Sequence, residues 1–190
     1  MRHLNLNRLS FLVVEDNAFM RKLLISMLQA CNVGNIESAT DGIKAFKLMR
    51  DGFSPDLILT DMKMPVMGGL EFTRWVRSAD EVAKKDVPII LVTAFADAET
   101  VVAARDAGVD EFLAKPVSAD DLLLRIRNVI EAKRPYVASS KYAGPDRRRR
   151  QARIKGRERR KTKGVRQATK GKAVFSSGAV SSGQEKPPLL

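Results

Sequence analysis

The chain contains one cysteine, Cys31, and one histidine, His3. A single cysteine excludes a disulfide within the chain, and the apolar neighbours of Cys31 predict that it packs at the end of a helix; we therefore expect a protein of the reducing cytoplasm. We expect His3 to be mobile at its terminus, which excludes histidine metal clusters and Ser-His-Asp triads. Any phosphohistidine donor must therefore be another molecule.

Long apolar runs are also missing. No stretch approaches the ~20 apolar residues that cross a bilayer, and the first ten residues, MRHLNLNRLS, lack the apolar core and cleavage site of a signal peptide. We expect no transmembrane segment and a soluble, cytoplasmic protein.

Charge is distributed unevenly along the chain. Residues 1–134 hold 18 Lys and Arg against 19 Asp and Glu, whereas residues 135–190 hold 16 against 3. The net charges of these two parts are therefore −1 and +13. A near-neutral domain with a basic arm is predicted, and such an arm can bind an anion although the fold is not built for it.

Short apolar runs alternate with longer amphipathic segments from Leu9 onward. The predicted strands are 11–14, 35–39, 56–60, 88–92 and 111–114. The predicted helices are 18–31, 41–51, 69–79, 98–107 and 119–133, with Asp41 and Ser118 as N-caps and with Gly34, Gly52 and Gly108 at helix ends. This order predicts an α/β fold with a doubly wound, five-stranded parallel sheet.

Periodicity stops after Pro135, where Arg, Lys, Gly, Ser and Gln dominate. Such a stretch cannot bury enough apolar surface to fold alone, and a disordered basic C-terminal tail is predicted. We expect a folded domain over 1–134, an arginine-rich ligand-binding arm over 135–172, and a flexible C-terminus over 173–190.

Polar residues close the predicted strands, at the edge where parallel sheets place their functional crevice. These residues are Glu15, Asp16, Asp61, Thr93 and Lys115. Three converging carboxylates repel one another unless a cation is present, and a hard divalent ion such as Mg²⁺ prefers their oxygen ligands. With a hydroxyl and a lysine beside them, they form a set of groups suited to phosphoryl transfer to an aspartate.

Four segments resemble the response-regulator receiver family, of which the chemotaxis protein CheY is the best-known member. They are VVEDN, LILTDMKMPVMGG, PIILVTA and DEFLAKP, in that order and spacing. The resemblance implies a flavodoxin-like receiver fold, phosphorylation of Asp61 by a separate histidine kinase, and Mg²⁺ held by Glu15, Asp16, Asp61 and the main-chain carbonyl of Lys63. The domain is then a signalling phosphoacceptor and not an enzyme.

The resemblance also assigns three further roles. Thr93 and Phe112 match the family's switch pair, in which the hydroxyl moves toward the phosphoryl group and the ring swings inward. Lys115, before a peptide bond to Pro116 that is usually cis in the family, matches the phosphate-binding lysine. The face near Thr93, Phe95 and Phe112 is then expected to dock a partner protein.

The arm begins with KYAGPDRRRR, in which Gly-Pro-Asp is a turn signal. Its candidate ligand-binding residues are Tyr142, Asp146, Arg147, Arg148, Arg149 and Arg150. Arginine forks pair with phosphates and with guanine edges, tyrosine offers a stacking face, and a carboxylate can accept from guanine. The stretch resembles the arginine-rich tails of the Cle proteins, CheY-like proteins of alphaproteobacteria that bind cyclic di-GMP and act at the flagellar motor.

The resemblance implies that cyclic di-GMP is the ligand, that a flagellar motor switch protein is the partner, and that the protein acts at the flagellated pole in chemotaxis and motility. Three alternatives for the arm remain open: nonspecific binding of nucleic acid, contact with an anionic membrane, and a solvated linker. A fourth concerns the domain, which as a phosphate sink would drain a kinase by slow self-dephosphorylation.

Overall fold

The computed structural model describes residues 5–80, 82, 84–94, 97–139 and 142–147. The first five strands are β1 Ser10–Val14, β2 Asn35–Ala39, β3 Leu57–Asp61, β4 Ile89–Thr93 and β5 Glu111–Ala114. The helices are α1 Ala18–Ala30, α2 Gly42–Arg50, α3 Gly69–Ser78, α4 Ala98–Ala107 and α5 Ala119–Glu131. Two more strands follow, β6 Tyr136–Ser139 and β7 Tyr142–Pro145. The five predicted β-α units are confirmed, with bounds that differ by at most two residues.

The five parallel strands lie in the order β2-β1-β3-β4-β5. Phe11 of β1 is in register with both Ile36 of β2 and Leu57 of β3, so β1 lies between them. The strand order therefore reverses between β1 and β3, and the carboxyl ends of these two strands flank the crevice where such sheets bind ligands.

Alternate residues of the central strands pack on opposite faces of the sheet. On one face, Phe11 and Val13 belong to a cluster with Leu24 of α1 and Leu122 of α5. On the other face, Leu12, Val14 and Ile58 pack with Phe72 and Val76 of α3. Both faces are therefore covered by helices, which explains the nearly unbroken apolar sequence of β1, β3 and β4.

The helix ends follow the predicted capping residues in most places. Asp41 and Ser118 accept hydrogen bonds from the Lys44 and Asp121 main-chain N–H groups, and Gly108 is the left-handed C-cap of α4. Gly34 does not end α1, because that helix stops at Cys31 and Asn32 takes the left-handed conformation. A side chain at 34 would instead collide with the Asn7 carbonyl, so this glycine permits a close backbone approach.

An antiparallel hairpin of β6 and β7 follows α5. Arg134 holds it in place: its guanidinium donates to the Asp110 carbonyl at 2.6 Å and to the Asp146 carbonyl at 3.1 Å. The Asp146 N–H in turn donates to the Pro135 carbonyl at 2.8 Å. The sequence did not predict this hairpin, because it is docked by main-chain hydrogen bonds and not by an apolar stripe. The segment that was expected to lack ordered structure is therefore shorter than predicted.

Two glycines bring the hairpin close to the end of α4. Gly144 has φ 156°, and a Cβ there would lie 2.8 Å from the Gly108 Cα. A Cβ on Gly108, at φ 96°, would lie 2.9 Å from the Ala143 carbonyl oxygen. The two backbones touch, and only glycine combines these dihedral angles with this distance.

Beneath the hairpin lies Arg77 of α3, which is only 3% exposed. Its guanidinium donates to the carbonyls of Gly108, Lys85 and Val87 and to the Asp110 carboxylate at 2.8 Å. These bonds satisfy a buried charge that would otherwise be costly. The Tyr136 hydroxyl donates to the Arg77 carbonyl at 3.4 Å, which links the hairpin to the same network.

Residues 148–190 lie outside the described residues, and they include the predicted ligand-binding residues Arg148, Arg149 and Arg150. Phe95, on the predicted docking face, lies outside them as well. Among the described residues, no helix has the length and apolar character that crossing a membrane requires.

Candidate functional site

A crevice of about 290 Å³ opens at the carboxyl ends of β1, β3, β4 and β5. Its lining includes the sequence-predicted residues Glu15, Asp16, Asp61, Lys63, Thr93 and Lys115. Each follows or ends one of these strands, as the sequence predicts, because parallel strands bring their carboxyl ends to the same edge.

Three carboxylates meet in this crevice. One oxygen each of Glu15, Asp16 and Asp61 lies within 4.8 Å of the other two. Glu15 is 1% exposed and Asp61 7% exposed, whereas Asp16 is open to solvent. This donor set of oxygens, with one side open, fits a hard divalent cation such as Mg²⁺ that keeps part of its water shell.

Lys115 closes the crevice from β5. Its Nζ lies 2.5 Å from Asp61 Oδ1 and 2.9 Å from Glu15 Oε2. Burial raises the pKa of Glu15 above 4.5, and the Asp61 charge adds to this against the opposing hydrogen bond from Lys115. The hydrogen bond from Lys115 outweighs the repulsion from Asp61, so burial is what keeps this pKa raised. One lysine still faces three carboxylates, which leaves the crevice attractive to a further cation.

The pKa of Lys115 itself is raised above 10.5. Burial alone would lower it, but the hydrogen bonds to Asp61 and Glu15 outweigh burial. The ammonium is therefore fully charged near neutral pH and is held at the carboxylate that is predicted to accept the phosphoryl group. The Lys115–Pro116 peptide bond is cis, as the sequence resemblance implies.

Two further predicted residues lie beside Asp61. The Lys63 N–H donates to Asp61 Oδ2 at 2.8 Å, which orients the carboxylate. Thr93, 1% exposed, ends β4 and directs its hydroxyl toward the Met62 sulfur at 3.7 Å, a weak contact.

Sequence reasoning missed Arg21. Its Nη1 donates to the Glu15 carbonyl at 2.7 Å and to the Asp16 carbonyl at 3.3 Å. The guanidinium fixes the turn between β1 and α1 that presents both carboxylates. The spacing of the sequence could have indicated it. Asn17 caps α1 by accepting from the Phe19 and Met20 N–H groups, and Arg21 lies one helical turn after this cap, close to the strand end that carries Glu15 and Asp16.

Three of the predicted ligand residues of the arm are described, and Tyr142, Asp146 and Arg147 do not line the acidic crevice. The Arg147 guanidinium carbon lies 3.9 Å from the centre of the Tyr142 ring, and its Nη1 lies 3.5 Å from Asp106 Oδ1. The Tyr142 hydroxyl donates to the Pro145 carbonyl at 2.6 Å. Asp146 contributes its main-chain groups to the hairpin.

Phe112, the predicted aromatic switch residue, lies in β5 and is half-buried. It packs against Leu91, Ala104 and Val109 between β4 and α4. The structure places it beside Thr93 in the lining of a second cavity, which lies on the face shared by α4, β5 and α5.

Comparison with known proteins agrees with this geometry. The model of the response regulator receiver domain family matches residues 11–127. This chain belongs to that family. Receiver domains are phosphorylated by histidine kinases, they bind Mg²⁺ in an acidic site, and those of the CheY type are signalling phosphoacceptors.

Similar receivers serve different cellular processes. The chain is 33% identical over 121 residues to the polar-differentiation response regulator DivK of Brucella anthropi, covering 64% of this chain and 95% of that protein. It is 30% identical over 123 residues to the chemotaxis protein CheY-3 of Vibrio cholerae, covering 65% and 92%. Each match therefore covers about two thirds of this chain and almost the whole of the relative.

A solved structure that contains magnesium matches the fold of this chain. The receiver domain of a Pseudomonas aeruginosa sensor histidine kinase, which has a magnesium ion coordinated in its active-site cleft, superposes with a TM-score of 0.57. It is 29% identical, and the match covers 63% of this chain and 95% of that domain. The Glu15, Asp16 and Asp61 cluster provides the corresponding acidic site in this receiver.

Proposed function

We propose that this protein is a single-receiver response regulator that accepts a phosphoryl group on Asp61 from a separate histidine kinase. The observation that supports it is Asp61 itself: its carboxylate is clustered with Glu15 and Asp16, contacted by Lys115, and open to a crevice. One Asp61 oxygen attacks the donor phosphorus while the P–N bond to the donor histidine breaks. The products are an aspartyl phosphate and a free imidazole.

The residues around Asp61 have distinct tasks in this transfer. Lys115 offsets the negative charge that accumulates on the phosphoryl oxygens, and Thr93 donates its hydroxyl to one of them. Glu15, Asp16, Asp61 and the Lys63 carbonyl would hold Mg²⁺, which supplies positive charge to the same oxygens when bound. Lys63 keeps the Asp61 carboxylate oriented through its N–H.

Exposure of the full chain to acetyl phosphate and Mg²⁺, followed by intact mass spectrometry, tests this proposal. We expect one phosphoryl addition, absent from Asp61→Asn and retained in the matched control Asp51→Asn, whose carboxylate is exposed at the end of α2. No Asp61-dependent mass gain with any donor would refute the proposal. The lifetime of the product separates signalling from the phosphate-sink alternative, because a long-lived phosphoprotein would argue against a sink.

We further propose that the arm binds cyclic di-GMP and that the output is protein docking, with the flagellar motor switch protein as the expected partner. The stacked Arg147 and Tyr142 support this, because the pair presents a guanidinium fork above an aromatic plane. Guanine offers both an edge for the fork and a ring for stacking. Arg148, Arg149 and Arg150 extend the predicted site beyond the described residues.

Calorimetric titration of cyclic di-GMP into the full chain and into Arg147→Ala/Arg148→Ala, at physiological salt, tests the ligand. We expect micromolar or tighter binding that the double variant loses. Cyclic di-AMP is the matched control, since it keeps the phosphates and loses the guanine edge. Equal affinity for both dinucleotides, together with steep weakening by salt, would favour nucleic acid or anionic membrane instead.

A further inference from the structure

A cavity of about 520 Å³ lies between α4, β5 and α5, on a different side of the sheet edge from the carboxylates. Four arginines line it, and each comes from a different segment: Arg105 from α4, Arg125 from α5, Arg134 after α5 and Arg147 after β7. Its volume is within the range of small-molecule sites. The receiver domain supplies three of the four arginines, and the hairpin positions the fourth.

The carboxylates near this cavity do not balance its arginines. Asp106 lies 3.2 Å from Arg105 and 3.5 Å from Arg147, so one carboxylate is shared by two guanidinium groups. Arg125 lies 3.3 Å from Glu111. Arg134 donates to main-chain carbonyls, which carry no formal charge. An excess of positive charge therefore lines this cavity.

Arg125 also has an unused donor. Its Nε is buried and lacks a hydrogen-bond partner among the described residues. A buried N–H without an acceptor is costly, so a ligand oxygen that reached this donor would add to binding. The Arg125 side chain is 37% exposed, so a ligand can reach it from solvent.

Flat surfaces complete the cavity. Phe112 lines it from β5, and Arg147 lines it with its guanidinium plane backed by Tyr142. Guanidinium forks bind phosphate oxygens, and flat aromatic or guanidinium groups stack on bases. The combination suits a ligand with two phosphate charges and at least one planar ring.

We infer that the α4–β5–α5 cavity is a binding site for a nucleotide carrying two phosphate groups, with Arg105 and Arg125 of the receiver among its phosphate ligands. The site lies mainly on the receiver and not on the arm alone. The inference rests on the proposed function for the identity of the nucleotide, cyclic di-GMP. It goes further in placing the phosphates against the folded domain.

One residue connects this site with the acidic crevice. Thr93 lines both cavities, so a phosphoryl group at Asp61 and a nucleotide on the outer face bear on the same side chain. We expect binding at the two sites to be coupled through Thr93, and such coupling acts equally in both directions. The site therefore makes the receiver a point where a nucleotide signal and phosphorylation influence each other.

Calorimetric titration of cyclic di-GMP into full-chain Arg125→Ala and Arg105→Ala tests the site. We expect each substitution to weaken binding by about tenfold or more, as loss of one charge-assisted contact implies. The matched control is Arg50→Ala, an exposed arginine of α2, for which no change is expected. Arg125→Lys, which keeps the charge but loses the fork, should fall between the wild type and Arg125→Ala.

Fluorine NMR of the full chain labelled with 4-fluorophenylalanine provides a second readout that does not depend on affinity. The Phe112 signal, assigned with Phe112→Leu, should shift when cyclic di-GMP is added. Undiminished binding in Arg105→Ala and Arg125→Ala, with an unmoved Phe112 signal, would overturn the inference and leave an arm that binds alone. Absence of any binding to the full chain would instead refute the cyclic di-GMP proposal, and this site with it.

Discussion

Lys115 Nζ lies 2.5 Å from Asp61 Oδ1, although 54 residues separate them along the chain. The ammonium occupies one side of a carboxylate whose other neighbours are Glu15 and Asp16. The crevice therefore contains a built-in cation that opposes carboxylate repulsion before any metal binds.

Replacement of this lysine should make the fold depend on metal. Lys115→Ala leaves the buried Glu15 facing Asp61, so we expect the free energy of unfolding without Mg²⁺ to fall by roughly 1–3 kcal/mol. Saturating Mg²⁺ should restore most of the loss. Urea denaturation with and without Mg²⁺ measures both, and Lys22→Ala, an exposed lysine of α1, is the control. Equal destabilisation in both conditions would contradict this prediction.

Mg²⁺ should raise the free energy of unfolding, with Asp16 as one of its ligands. At a metal concentration 100 times Kd, the wild type should gain about 2.7 kcal/mol, and EDTA should reverse the gain. Because Asp16 is exposed, Asp16→Asn should lose this gain and keep its metal-free stability. Thermal unfolding scans with and without Mg²⁺ measure the gain in Asp16→Asn and in the control Asp51→Asn. An equal gain in Asp16→Asn would remove Asp16 from the ligand set.

The Thr93 hydroxyl should speed phosphorylation. A hydrogen bond to a charged oxygen contributes about 1.5–3 kcal/mol, so Thr93→Ala should slow labelling by acetyl phosphate by roughly 10- to 100-fold. Thr93→Ser keeps the hydroxyl and should label much faster than Thr93→Ala. A time course by mass spectrometry measures the rates; similar rates for the two variants would mean that the hydroxyl has no part in transfer.

The fold and the acidic site of the receiver could be predicted from the sequence because apolar runs and the residues at strand ends are both local features. Apolar runs identified β1, β3 and β4, and the residue after or at each strand end identified Glu15 and Asp61. What it missed depends on main-chain geometry at long range. Arg134 docks the hairpin through carbonyl oxygens, and every residue has a carbonyl, so no residue pattern distinguishes those partners.

The arginine-lined cavity was missed for a related reason. Arg105, Arg125 and Arg134 lie in different segments, and each by itself resembles an ordinary solvated cation. Sequence drew attention to the dense arginines of the arm, where charge is concentrated along the chain. Folding concentrates charge in space, which the linear count does not reveal.

The contact between Gly144 and Gly108 should be sensitive to a single methyl group. Gly144→Ala combines φ strain with collision against Gly108, and we expect a loss of roughly 2–3 kcal/mol in the free energy of unfolding or detachment of the hairpin. Gly52→Ala is the matched control, because Gly52 also has a positive φ but a Cβ there meets nothing within 4 Å. Denaturation and hydrogen exchange at the β7 amides measure the two effects. A smaller loss in Gly144→Ala than in Gly52→Ala would contradict the contact.

Asp41 should contribute stability only above its depressed pKa. Burial alone would raise that pKa, but the Lys44 N–H and the Thr40 hydroxyl lower it below 3.8. Since the folded-state pKa lies below the unfolded one, the contribution is complete above the unfolded value and is lost as pH falls through the folded one. Asp41→Ala should cost about 1 kcal/mol at pH 7 and less in acid, whereas Asp41→Asn keeps a capping oxygen at every pH. Denaturation from pH 7 to pH 3 tests this.

The hairpin sets where this receiver can be cut from its chain or joined to another protein. A chimera that borrows the receiver and ends at Arg134 would take the docking arginine without its Asp146 partner and would uncover the surface above Arg77. The exchangeable module therefore runs through Arg147. Arg147 packs on the hairpin and is also the first arginine of the run in the arm. A junction placed after it therefore transfers the complete hairpin together with the first arginine of that run.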